Sequence, residues 1–280
     1  MRIRGGLGNQ LFQYAAGRAV AERTGTRLRL DACYCAADPL REFELDRFRV
    51  RAKVVRGPVE SAAYIDDDIL EDAWVRGRYG AETVRELRFR YSDVLEHAGP
   101  NSFLCGYFHS ARYFESIERK LRAELRPKRL GRTARALRRR IAGTEQSVAV
   151  HVRRGDVVSD PNLRRLIASV EPDYYARAGD MIREYRSDPH FFVFSDDPAW
   201  CRANIDLPGK TEVVSGSTDG VEDLALISTC SDAVIANSTF SWWGAWLGET
   251  AGSIVVTPAR WRNTHPQDAP DVRPTHWKMV

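Results

Sequence analysis

At 280 residues the chain is long enough for two domains or one large α/β domain. Its hydrophobic content of 43%, without a low-complexity segment, excludes a disordered or fibrous chain, and no stretch approaches the ~20 apolar residues of a membrane helix. The net charge of +4, carried mostly by arginine, falls short of a nucleic-acid binder's excess and suits anionic small molecules or a membrane surface. Five cysteines (Cys33, Cys35, Cys105, Cys201, Cys230), odd in number and without a C-x-x-C, predict reduced thiols in the cytoplasm. The opening MRIRGGLGNQ leads us to expect no signal peptide.

In chain order, Met1 to Arg4 reads as a short strand and Gly5-Gly6-Leu7-Gly8-Asn9 as a Gly-rich turn. A helix follows from Gln10 to Arg23, with Leu11, Tyr14, Ala15 and Ala19 along one face, and Thr26 to Asp31 is the next strand. This order is that of a Rossmann-type half. The loop is not a dinucleotide fingerprint, because its third glycine would fall at Leu11. Gly8 marks either a tight turn or a close approach of backbone to a sugar or phosphate. Asn9 and Gln10 either cap the helix or hold sugar hydroxyls.

Asp66, Asp67 and Asp68 have the spacing of a D-x-D metal site, but the preceding ESAAY is a poor strand. A solvated acidic turn or helix start is favoured, and no metal is expected. Gly106-Tyr107-Phe108-His109-Ser110 leads into a helical stretch from Ala111 to about Leu125, and Tyr107, Phe108, Tyr113 and Phe114 read as core or cleft-wall aromatics. Arg126 to Arg140 is the main composition shift. Leu130, Ala134, Leu137 and Ile141 recur at helical spacing with arginine around them. A solvated linker helix is the favoured reading and peripheral contact with an anionic inner membrane the alternative. The shift sets the expected division into residues 1–140 and 141–280, each Rossmann-like.

The second half alternates strands and helices, which predicts a parallel sheet covered on both faces. Strands are expected at Ser147–Val152, His190–Phe194, Thr211–Val214, Asp232–Ala236 and Ser253–Thr257, with helices at Pro172–Tyr185, Val221–Cys230 and Ser241–Gly248. Three of these strands end in polar clusters: His151/Arg153/Arg154, Ser195/Asp196/Asp197 and Asn237/Ser238/Thr239. Parallel pairing gathers those ends at one edge, where open α/β sheets bind ligands. Two guanidiniums at a buried strand's exit suit a doubly charged anion; the alternative is an ion-pair hub neutralised by Asp156. The aspartates suit a guanine edge or ribose, although one of them would cap the helix at Pro198. The hydroxyls and amides of NSTFS, at a helix start, suit phosphate oxygens. Together the three clusters suit a purine nucleoside diphosphate.

The segments GGLGNQLFQYAAGRA, GYFHSARYF, HVRRGD, FFVFSDDPAWC and DLALISTCSDAVIANSTFSWWGAWLG closely resemble the bacterial α-1,2-fucosyltransferases of glycosyltransferase family 11, over about Gly5 to Trp261. The resemblance implies a GT-B architecture, with two Rossmann-like domains and the active-site cleft between them. It implies inverting, metal-independent transfer from GDP-β-L-fucose to the 2-hydroxyl of a galactose in a glycan, with no nucleic-acid partner. Carried over by position, Arg153 and Arg154 become pyrophosphate anchors, His151 a neighbour of the nucleoside, Asp196 or Asp197 a base or ribose contact, and Ser238 and Thr239 phosphate contacts. Asp156, nearest the anchor, is the first candidate base and Asp160 the second. Gly8, Asn9, Gln10, Tyr107, Phe108 and His109 are candidate acceptor walls. Two departures, Val157 for an aromatic and Asp232 for a histidine, bear on acceptor identity. The rivals are a GDP-sugar transferase of other linkage, and a nucleotide-binding, membrane-docking module without turnover.

Overall fold

A computed structural model describes residues 1–36, 38, 41–57, 68–87, 89–215, 219–263 and 271–280, with side chains except at 36, 68–71, 156–157 and 162–163. The chain divides into two compact units, Met1–Arg126 with Pro270–Val272, and Pro127–Ala269 with Arg273–Val280.

The first unit is organised on α1 (Leu7–Thr24), whose Leu11, Phe12, Tyr14, Ala15 and Ala16 are fully buried. The helix stops at Gly25, which adopts φ 66° and returns its N–H to the last turn, a conformation that suits glycine. β1 (Arg29–Asp31) pairs in parallel with β2 (Lys53–Val55). After α2 (Asp68–Tyr79), β3 (Glu82–Arg85) pairs in parallel with β4 (Ser102–Cys105). The expected strand at Met1 to Arg4 is shorter and joins the two pairs. Ile3 N–H donates to Asp31 O at 2.9 Å, and Arg2 N–H donates to Leu104 O at 3.0 Å. The helix expected from Ala111 breaks into short 3-10 turns at Ala111–Tyr113 and Glu115–Ile117 before α3 (Glu118–Glu124). Ser110 caps the first of these turns, accepting from the Arg112 N–H.

The second unit begins with α4 (Arg132–Ala142), which leads into β5 (Ser147–Val152). α5 (Gly155–Ser159), α6 (Pro161–Leu166) and α7 (Pro172–Arg183) precede β6 (His190–Ser195). α8 (Pro198–Asn204), β7 (Lys210–Val213), α9 (Gly220–Ile227) and β8 (Asp232–Val234) follow. α10 (Thr239–Gly248), β9 (Val255–Thr257) and β10 (Lys278–Met279) complete it. All six strands run parallel in the order β10-β9-β8-β5-β6-β7. On one face, Val148, Val150 and Val152 pack with Tyr174, Tyr175, Ile182, Phe191, Val193 and Val256. α10 brings Trp242 and Trp243, both fully buried. It lies so close to α9 that a Cβ on Gly244 would stand 2.4 Å from Ile227 Cγ2. Among the described residues no helix is long and apolar enough to cross a membrane.

Candidate active site

The polar strand ends meet because β5 is flanked directly by β6 and β8. Val152 stands opposite Ser195 and Val150 opposite Val234, so the chain leaves all three strands at one edge. Every residue of β5 is buried, while Arg153 and Arg154 beyond it are half-buried. Such a residue pair needs partners, and for Arg154 the structure supplies three. Its N–H donates to Asp196 Oδ1 at 2.9 Å. Its Nε lies 3.4 Å from Asp197 Oδ2, and its guanidinium carbon sits 3.7 Å from the Trp200 ring centroid. Gly155 permits the turn, since a Cβ there would stand 2.5 Å from Asp196 Oδ2. The two aspartates thus divide their work. Asp197 also caps α8, accepting from the Trp200 N–H at 3.0 Å, and its own N–H donates to Ser195 Oγ. Asp196 fixes the backbone at Arg154.

His151 ends the buried part of β5. Its ring packs 5.3 Å from that of Phe240, and its Nδ1 is buried without a protein partner. Burial first, and the Arg153 charge second, push its pKa down to about 3, so the imidazole is neutral at physiological pH. The Tyr175 hydroxyl donates to the His151 carbonyl at 3.3 Å and holds this strand end from the core side.

At the β8 end, Asn237 donates from Nδ2 to Ala168 O at 2.7 Å and Trp261 O at 3.2 Å, tying two loops together. Its amide nitrogen is thereby committed to the protein. Ser238 is the N-cap of α10 and makes no side-chain cap bond. Thr239 opens the helix. Asp156 lies in α5, its side chain outside the described ones, as is that of Val157. Asp160 stands between α5 and α6, half-buried.

In the first unit the sequence candidates separate. The helix begins at Leu7, not Gln10, so Gly8, Asn9 and Gln10 form its first turn. Gln10 is fully buried, donates to Gly5 O and Glu42 O and accepts from the Glu44 N–H. It is a structural strut with no group left for a sugar. Phe108 is likewise core, with no exposed surface and its ring edge-on to Tyr113. Gly8 is buried in the helix. The half-exposed remainder is a cluster: Asn9 Oδ1 and His109 Nε2 are 3.0 Å apart, Tyr107 stacks on Phe89, and the Arg4 guanidinium lies 4.6 Å over Tyr107.

Asp232, singled out as a departure bearing on the acceptor, opens β8 at the opposite edge of the sheet. It is buried in a two-pronged ion pair with Arg186 at 2.6 and 2.8 Å and accepts from the Ile254 N–H. Its role is structural. Asp66 and Asp67 lie outside the described residues, as does the side chain of Asp68; among the described residues no cluster of three or more His, Cys, Asp or Glu could hold a metal. The residue that sequence reasoning missed is Trp200. Its position three residues after the capping Asp197, in the first turn of α8, was the available signal.

The sequence model of Glycosyl transferase family 11 matches residues 1–278. An α-1,2-colitosyltransferase of Escherichia coli is 31% identical over 290 residues, covering 100% of this chain and 97% of that protein. Galactoside α-(1,2)-fucosyltransferase 1 of Homo sapiens is 31% identical over 261 residues, covering 87% of this chain and 63% of that longer protein. Among solved structures, the R284K mutant of FUT1 of Arabidopsis thaliana in complex with GDP aligns with a TM-score of 0.50 at 12% identity, over 91% of this chain and 68% of that one. The fold is α/β of the GT-B type.

Proposed function

We propose, from the premise that this chain belongs to glycosyl transferase family 11, that it moves L-fucose from GDP-β-L-fucose to the 2-hydroxyl of a terminal galactose in a glycan, inverting the anomeric centre and requiring no metal. The observation that carries the donor half is the pair of arginines at the exit of a fully buried central strand, one of them held by Asp196, Asp197 and Trp200. The 2-linkage is supported by relatives named for α-1,2 transfer.

In this mechanism Arg153 and Arg154 grip the diphosphate. They meet the negative charge that grows on it as the glycosidic bond breaks, and the start of α10 adds backbone N–H donors. Neutral His151 lies beside the nucleoside without adding charge. Asp156 accepts the proton of the acceptor hydroxyl as that oxygen bonds to the anomeric carbon, with Asp160 the second choice. Within the first unit, Asn9, Tyr107 and His109 are the residues we assign to acceptor recognition.

A second reading, colitosyl transfer, is favoured by 31% identity across the whole chain to an enzyme of that name. One assay separates the readings: GDP-fucose or GDP-colitose with lactose and N-acetyllactosamine in excess chelator, followed by linkage analysis. We expect fucose on the galactose 2-hydroxyl, undiminished by chelator. Turnover confined to GDP-colitose would replace the donor, another linkage would replace the acceptor hydroxyl, and GDP binding without turnover would leave a binding module.

A further inference from the structure

The arginine-rich stretch has no part in the donor site, yet it dominates the charge of the molecule. Residues 127–143 carry seven basic side chains (Lys128, Arg129, Arg132, Arg135, Arg138, Arg139, Arg140) and no acidic one. The whole chain carries +4, which leaves −3 for everything else. The net positive charge of the protein therefore resides in one strongly basic element on an otherwise mildly acidic chain.

The fold turns that charge outward. In α4, Ala134 and Ile141 are fully buried, and Gly131 at the helix N-cap is bonded to Glu222 of α9. The apolar side of the helix is thus spent inside its own unit. Arg132, Arg135 and Arg139 fall at i, i+3 and i+7 on the opposite side, Arg138 (i+4 from Ala134) flanks the buried stripe, and all four are exposed. α4 spans roughly 16 Å. Of the acidic residues bordering it, Glu212 pairs with Arg140 and Glu222 bonds the Gly131 N–H.

We propose that the outer face of α4, with Lys128 and Arg129 just before it, is a docking surface for an anionic phospholipid bilayer, bound by charge alone. Four to eight basic side chains on one helix face have the density that binds anionic headgroups, each worth about fivefold in partitioning. Burial of Ala134 and Ile141 leaves no apolar stripe to insert, so the helix lies on the headgroups. Single-stranded nucleic acid is the poorer match, because it is held by stacking bases on aromatics and residues 127–143 contain no Phe, Trp or Tyr; a duplex held by its phosphates alone is distinguished by the test below. The inference is independent of the donor assignment.

The test is co-sedimentation of the full chain with vesicles of phosphatidylcholine containing 30 mol% phosphatidylglycerol, against phosphatidylcholine alone. We expect binding to the anionic vesicles at about 50 mM salt and release near 300 mM, as screening shortens. Replacing Arg132, Arg135, Arg138 and Arg139 together by Gln should lower partitioning by about 10²-fold or more, with the melting temperature checked in parallel. Lysine at the same four positions should retain binding within a few-fold, because headgroups respond to point charge rather than to the guanidinium fork. Absence of binding to anionic vesicles at low salt, equal binding to neutral vesicles, or full binding by the Gln variant would overturn the proposal. So would loss of binding in the Lys variant, or tighter binding to a short RNA or DNA duplex than to the vesicles.

Discussion

Trp200→Leu isolates one contribution to the arginine anchor. The guanidinium carbon of Arg154 stands 3.7 Å from the Trp200 ring centroid, well inside the ~6 Å reach of a cation–π contact. The Arg154 side chain is only 26% exposed, so the contact is largely shielded from water. Such contacts run from ~0.5–1 kcal/mol when exposed to ~2 when desolvated, which here means about 1–2 kcal/mol, or roughly 5- to 30-fold in GDP affinity. Leucine keeps apolar volume where Trp200 packs against the core, and the Asp197 carboxylate still lies 3.4 Å from Nε as an ion-pair partner, though not in hydrogen-bond geometry, so the loss should be partial. Arg154→Ala should cost more, about 10²–10³-fold in turnover if it removes one transition-state donor. Calorimetric titration of GDP and of guanosine into wild type, both single variants and the double variant gives the coupling. We expect Trp200→Leu to weaken GDP, to spare guanosine, and to add nothing once Arg154 is alanine. Equal weakening of guanosine, or additive losses in the double variant, would refute the clamp. Wild-type GDP affinity in Arg154→Ala would instead sink the donor assignment itself.

Three further outcomes follow from the same geometry. Gly155→Ala should push the Asp196 carboxylate, which a Cβ would approach to 2.5 Å, off the Arg154 N–H; kcat/KM should fall roughly 10- to 100-fold with little change in melting. Asp232→Ala should cost about 3–5 kcal/mol in urea unfolding by stranding Arg186, while activity per folded molecule is unchanged because the pair lies at the opposite sheet edge. His151 has a folded pKa of about 3, below its ordinary 6.5. The unfolded chain therefore takes up that proton first, and the stability is fully present above pH 6.5 and lost as pH falls toward 3. His151→Gln should remove about 2 kcal/mol of the wild-type loss between pH 6.5 and 5, read by urea titration at both values.

The parallel sheet was legible because its strands are continuous apolar runs bounded by polar ends; β5, β6, β8 and β9 all lie where that pattern put them. β10, two exposed residues long, has no such signature and exists through its pairing with β9. Ala111 to Leu125 misled because helical composition does not report a capping serine and aromatic packing that break the stretch into turns. At the site, strand ends could be located from sequence, but side-chain commitments could not. Gln10 and Phe108 sit in motif positions beside Asn9, Tyr107 and His109, yet tertiary contacts bury them. Likewise, Asp232 stands near the NSTFS segment in sequence but at the other end of its strand in space.

The central place of β5 also governs the order in which its unit can be assembled. It is the first strand of its sheet to leave the ribosome, and its partner residue for Ser147 is His190, 43 positions later. At ~5–20 residues per second the strand waits roughly 2–9 s for a first neighbour and longer for β8 on its other side. During that interval SVAVHV is an unpaired apolar edge of the kind that recruits other chains, closely followed by two arginines. Charges flanking an obligatory hydrophobic strand act as gatekeepers against such pairing. Arg153 and Arg154 therefore guard the nascent strand before there is a sheet edge for them to serve.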